Sequence, residues 1–215
     1  MEKMLDELNK LEIGFQPRNH DRLPTNKPYT SKGLYWNSNQ SIVEFEKDLC
    51  IVFDAMPHAA KYKGVIFGGF VRNVMVPRAT GQPSSGYKDV NFWFETKSSA
   101  ESFIKEMRGK LTFNYSSSKI IAGNPVHPFE RLRLYLCHIP IDIVISTEIP
   151  VNDFDVNMLT YNSREGFKSF GSVSTNSLIE SIKNKVATIL PGYEMPDISN
   201  ERIDTMKEIG WTFNK

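Results

Sequence analysis

Two cysteines in 215 residues, Cys50 and Cys137, are too few to staple a fold, and each sits in an apolar run where a free buried thiol is expected rather than a disulfide. No stretch approaches the roughly 18 consecutive apolar residues of a membrane helix. The first residues, MEKMLDELNKLEIGF, are amphipathic and acidic rather than a basic stretch leading into an apolar one, so the expectation is a cytoplasmic protein with no membrane partner. Charge of one sign is also lacking: Lys plus Arg total 26 against 25 for Asp plus Glu, which excludes a global basic field and makes any nucleic-acid site local. Only four histidines are present, and His127 and His138 do not combine with the cysteines at metal-ligand spacing, so no zinc site is expected. Repeats and low-complexity tracts are absent. What remains, 40% hydrophobic and 24% charged residues, is the composition of an ordinary globular chain long enough to bury a core.

The pattern divides the chain into three parts. Residues 1–40 read as a short helix, with Met4, Leu5, Leu8 and Leu11 at helical spacing, and an irregular arm rich in Pro, Asn, Ser and Gly. Residues 41–173 read as the main domain. Ser41 caps a helix through Ile42, Phe45, Leu49 and Phe53 that fades at Pro57, and GVIFGG at 64–69 is a short buried strand. FVRNVMVP restarts a helix, DVNFWF at 89–94 is a strand, and Ser98 or Ser99 caps a helix to about Arg108. Alternation returns at Leu111 to Tyr115 and in RLRLYLCHIPIDIVIS, where Pro140 divides two strand-like pieces, 131–138 and 141–146. Residues 174–215 read as two helices, the first with Leu178, Ile179, Ile182 and Val186 on one face. The fold class expected is α/β or α+β, with four or five strands in a mixed sheet and helices on one face.

Strand alternation sets Asp89 and Asn91 on one face, with Val90 and Phe92 on the other. Asp142 lies in a later strand among Ile141, Ile143 and Val144, where a carboxylate is costly unless it meets a cation, a donor or water; an exposed strand position is the equally open alternative. Gly68-Gly69 ends a strand before a helix that begins near Arg72, an order that suits close approach of backbone to phosphate and is also that of a plain tight turn. Arg131 and Arg133, with Lys61 and Lys63, are a candidate phosphate patch or simply solvated surface. Tyr87, Trp93 and Phe94 are candidates for base stacking, with core the commoner fate of aromatics at strand spacing.

The pieces GGFVRN, DVNFWF and IDIVIS, in that order, resemble the head domain of class II transfer-RNA nucleotidyltransferases and bacterial poly(A) polymerases, whose pattern is GGxVRD, a loop, DxD and a third acidic residue on a neighbouring strand. NDFDVNMLTYN at 152–162 resembles that family's RRDFTxNAL segment, SLIESIKNKVATIL the helix joining head to neck, and NERIDTMK at 200–207 a vestige of the nucleotide-selecting neck motif. A similarity to compact nucleotidyltransferase-like proteins of large DNA viruses is weaker. The resemblance covers about residues 64–209 and implies a nucleotidyltransferase palm with neck-like C-terminal helices. It implies Gly68, Gly69, Arg72, Asp153 and Asn157 at a nucleoside triphosphate, and Asp89, Asn91 and Asp142 as the catalytic set holding Mg2+ or Mn2+.

The chain departs from that pattern at three points. Asn91 stands where the family has its second aspartate, Asn73 replaces an acidic residue, and Val151-Asn152 replaces two arginines. An amide oxygen brings no negative charge, so metal affinity and activation of an attacking hydroxyl should both fall. Asn91 is then either natural, in a weakened relative, or an introduced change. The functional expectation is metal-dependent transfer of a nucleoside monophosphate to a hydroxyl, an RNA 3′ end among the candidate acceptors, impaired or absent because of Asn91. The alternative is a non-catalytic nucleotide-binding or regulatory module, with the apolar face from Leu178 to Ile189 serving a homodimer.

Overall fold

A computed structural model of the chain describes residues 42–113, 130–150, 153–190 and 196–214. The helix and arm expected over residues 1–40, and His127, lie outside the described residues. The chain builds α1 (Ile42–Lys61), β1 (Val65–Phe67), α2 (a π-turn Val71–Met75 running into Val76–Ala79), β2 (Val90–Phe94) and α3 (Lys97–Glu106). There follow β3 (Leu111–Phe113), β4 (Glu130–Leu136), β5 (Ile139–Ile145), a 3-10 turn (Asp155–Met158), β6 (Leu159–Asn162) and β7 (Gly166–Ser169). The last elements are α4 (Thr175–Lys183), β8 (Val186–Thr188), α5 (Pro196–Glu208) and β9 (Thr212–Asn214). The fold is therefore mixed α/β, the class expected, but among the described residues the main sheet has seven strands in the order β3-β4-β5-β2-β1-β6-β7 rather than four or five. The surplus comes from short segments, β6 and β7 among them, whose four residues each carry too little alternation to stand out.

The β2–β5 pair is parallel; every other pair in the main sheet is antiparallel. Ile66, Phe92, Ile143 and Leu132 align across four strands, all buried. On this side Phe92 and Phe94 each stack at 5.3 Å on Phe103 of α3. The next register row points the other way: Arg133, Asp142, Asn91, Phe67, Thr160 and Lys168 stand in line from β4 to β7. Alternation alone sends this row to the face opposite the aliphatic core.

Several local expectations are corrected. The first helix does not stop at Pro57 but runs to Lys61, because Ala55, Met56, Ala59 and Ala60 are all buried and packing outweighs the one lost backbone bond. Thr96, not Ser98 or Ser99, caps α3, its hydroxyl accepting from the Ser99 amide at 3.2 Å. The turn between β4 and β5 falls at Cys137-His138, with Cys137 at φ 59°, and Pro140 lies inside β5. Pro140 fits because pairing with β2 begins only at Ile141, so no partner on that side needs its missing amide hydrogen. The first C-terminal helix ends at Lys183, where Lys185 at φ 53° reverses the chain into β8. Leu178 and Ile182 are buried in the chain's own core, whereas Ile179, Val186 and Ile189 of the same stretch are half-buried. Neither cysteine forms a disulfide and both are exposed: Cys50 lies off the buried stripe of α1, and Cys137 sits in the hairpin turn.

Candidate functional site

The parallel pairing of β2 with β5 brings Asn91 directly opposite Asp142, and Asp89 lies two residues earlier on the same side. Asp142 is 1% exposed, so the alternative of a solvent-facing strand position is overturned. Its cost is offset by the neighbouring strand, whose antiparallel register sets Arg133 opposite it. Arg133 donates from Nε to Asp142 Oδ1 and from Nη2 to Asp142 Oδ2, each at 2.7 Å, a forked contact. The same Nη2 reaches Asp89 Oδ2 at 2.7 Å, and Arg131 Nη2 reaches Asp142 Oδ2 at 2.6 Å. Asn91 donates from Nδ2 to Asp89 Oδ1 at 3.2 Å. Hydrogen bonding to Asp142, opposed by partial burial, holds the Arg133 guanidinium charged more firmly than usual.

The glycine bend borders this ridge. Gly68 has φ +76°, a left-handed conformation that a side chain would strain, and a Cβ built there would stand 3.8 Å from Asn91 Nδ2. Gly69 faces a second polar cluster, since its Cβ would stand 3.7 Å from Arg72 Nη2.

That second cluster gathers Arg72, Asp153 and Asn157. Arg72 is 8% exposed and donates to Asn157 Oδ1 at 2.7 Å and to Asn73 Oδ1 at 2.9 Å, with its guanidinium 5.4 Å from the Trp211 ring centroid. Asn157 in turn donates to Asp153 Oδ1 at 2.9 Å, and Asp153 Oδ2 accepts from Arg202 of α5 at 2.8 Å. Burial pushes the Arg72 pKa down to about 10, still well above neutrality, with Asp153 opposing the shift. Asn73 completes the frame by donating to the Gly86 carbonyl at 3.1 Å.

All eight residues singled out in the sequence thus fall on the ridge, on the glycine bend or in the Arg72 network. The aromatic candidates take structural positions: Tyr87 packs edge-on against Phe70, Phe94 is core, and Trp93 donates its indole hydrogen to Ser146. Four contributors were missed in their actual roles. Alternation in RLRLYL sets Arg131 and Arg133 on one face, but which strand they oppose depends on the hairpin turn. Arg202 and Trp211 carry no local signal for partners this distant in sequence.

A divalent cation at Asp89, Asn91 and Asp142 would need oxygen lone pairs facing one point. All four carboxylate oxygens already accept N–H groups, from Arg131, Arg133 and Asn91, and Asn91 turns its nitrogen rather than its oxygen toward Asp89. Among the described residues no group of three or more His, Cys, Asp and Glu side chains is arranged to hold a metal ion. The ridge as arranged therefore does not fit Mg2+ or Mn2+. Among the described residues no helix is long and apolar enough to cross a membrane.

No family model and no curated protein matches the chain by sequence. Among solved structures the chain is similar to the Thermotoga maritima CCA-adding enzyme complexed with tRNA, at 16% identity and a TM-score of 0.49. The match covers 79% of this chain and 40% of that one, so the chain spans less than half of that protein's length; a likeness of this order assigns no activity.

Proposed function

We propose that the chain is a nucleotidyltransferase-like palm that binds a nucleoside triphosphate along the ridge, and that its ability to transfer a nucleoside monophosphate to a hydroxyl is impaired. One observation carries this reading: Asp89, Asn91 and Asp142 converge on adjacent strands beside the Gly68-Gly69 bend. In such a transfer the acceptor hydroxyl oxygen bonds to the α-phosphorus, the bond to the bridging oxygen breaks, and pyrophosphate leaves with that electron pair. The hydroxyl proton needs an acceptor. Asp89 and Asp142 are poorly suited to that task while their oxygens accept hydrogen bonds from charged guanidinium groups, and Asn91 offers no basic oxygen. The residues proposed for binding adjoin the ridge: Gly68 holds the left-handed bend, and the Arg72–Asn157–Asp153 network lies beside Gly69.

The second reading, a nucleotide-binding regulatory module without transfer, is favoured by the same guanidinium contacts. Calorimetric titration with ATP and CTP, with and without Mg2+, tests the shared part of both. Binding is expected for the wild type and is expected to weaken in Gly68→Val, where a branched side chain meets a left-handed backbone. If neither nucleotide binds the folded wild type, both readings fall. Incorporation of labelled nucleotide into RNA separates them: incorporation by the wild type, or by Asn91→Asp but not Asn91→Asp with Asp142→Ala, supports the transferase. Silence of every variant supports the module.

A further inference from the structure

We infer that Arg131 and Arg133 are the ridge's own cations, seated by strand register where a divalent ion would have to sit, and that they close the ridge to such an ion for as long as they remain. The juxtaposition is specific. Arg133 spans both carboxylates with three contacts of 2.7 Å, and Arg131 adds a fourth at 2.6 Å, so no carboxylate oxygen is left without an N–H partner once Asn91 is counted. Two carboxylates against two guanidinium groups also cancel in charge, which removes the net negative potential that draws a divalent cation out of water.

The arrangement is built into the sheet rather than lent by a loop. Seven consecutive register pairs, from Glu130↔Ile145 to Leu136↔Ile139, fix β4 against β5, and a slip of one residue would turn both arginines to the aliphatic side. The alternation RLRLYL puts Leu132, Leu134 and Leu136 in the core, so the positions of Arg131 and Arg133 are held by hydrophobic packing on the opposite face. Both arginine side chains keep about a quarter of their surface exposed, 28% and 25%, while Asp142 beneath them has 1%. A polyanion approaching the ridge therefore meets guanidinium first. A nucleoside polyphosphate would bind here without a bridging metal ion; this consequence rests on the nucleotide reading above, whereas closure to metal does not.

Electron paramagnetic resonance of Mn2+ tests the closure directly on the full chain. The double variant Arg131→Gln/Arg133→Gln, with folding verified by circular dichroism, is expected to bind Mn2+ about tenfold or more tightly than the wild type. Adding Asp142→Asn should return it to the wild-type level. Wild-type binding as tight as that of the double variant, and lost in Asp142→Asn, would overturn the inference. Should the double variant not fold, the single variants Arg131→Gln and Arg133→Lys carry the same comparison, since a lysine cannot fork across two oxygens; Mn2+ affinity above wild type supports closure and unchanged affinity refutes it. ATP titration in EDTA is read separately, so loss of nucleotide binding leaves the Mn2+ result interpretable, and the reverse.

Discussion

Two arginines, Arg72 beside Gly69 and Arg133 on the ridge, live in opposite surroundings. Arg72 is buried among neutral amide oxygens and beneath an indole ring, and burial pulls its pKa down. Arg133 is forked onto one buried carboxylate and touches a second, and those partners hold its proton more tightly. The same type of side chain is thus a structural pin beside the bend and a counter-charge on the ridge. The difference teaches that a cation near a glycine bend does not by itself identify a ligand contact; its partners decide what it does.

The largest effect that would sharpen this comparison is loss of the counter-charge. Changing both Arg131 and Arg133 to Gln leaves Asp142 buried without a cation and is expected to cost about 3–5 kcal/mol in urea unfolding at neutral pH. Most of that loss should return when Asp142→Asn is added, because the stranded charge is gone. If the third change returns nothing, the arginines act through packing rather than charge. Next in size, Arg72→Leu forfeits two charge-assisted hydrogen bonds and the Trp211 contact, a loss of about 2–3 kcal/mol. Here Asp153→Asn should not restore stability, since the direct hydrogen-bond partners of Arg72 are neutral; recovery would erase the distinction between the two arginines.

The smallest effect concerns a third ion cluster, at the surface. Glu106 of α3 accepts hydrogen bonds from Lys61, Tyr62 and His58 around the end of α1, and those bonds lower its pKa from 4.5 to about 2. A carboxylate depressed in the folded state contributes stability above its unfolded pKa and loses it as pH falls from about 4.5 toward 2. Glu106→Gln should therefore remove that increment at pH 7, change stability little near pH 2, and so flatten the acid limb between the two. An unchanged acid limb would mean that these contacts are exchanged for water at no cost, as with many exposed pairs.

Much of the candidate site was legible because its members are short-range patterns. Asp89 and Asn91 two apart in an aromatic strand, a double glycine after an apolar run, and an aspartate between isoleucines each carry their own signal. Asp142 was ambiguous for a physical reason: alternation permits either a solvent-facing or a counter-ion position, and only the partner strand distinguishes them. Arg131 and Arg133 were visible as a basic pair on one face, yet their meaning turned on a hairpin reversing at Cys137-His138 instead of at Pro140. The burial of the cysteines was misjudged because local apolarity does not say which side of a helix Cys50 occupies or that the chain turns at Cys137.

The sequence by itself determined the mixed α/β class, the strands that bear acidic residues and the glycine bend, since periodicity and backbone preference act over a few residues. Only the tertiary structure decided that Arg133 bridges the two carboxylates with Arg131 beside it on Asp142, and that Arg72 is pinned by Asn157 and Trp211. Those outcomes depend on strand register and on contacts between segments up to 139 positions apart, for which Arg72 and Trp211 are the example, and no local pattern encodes such a pairing.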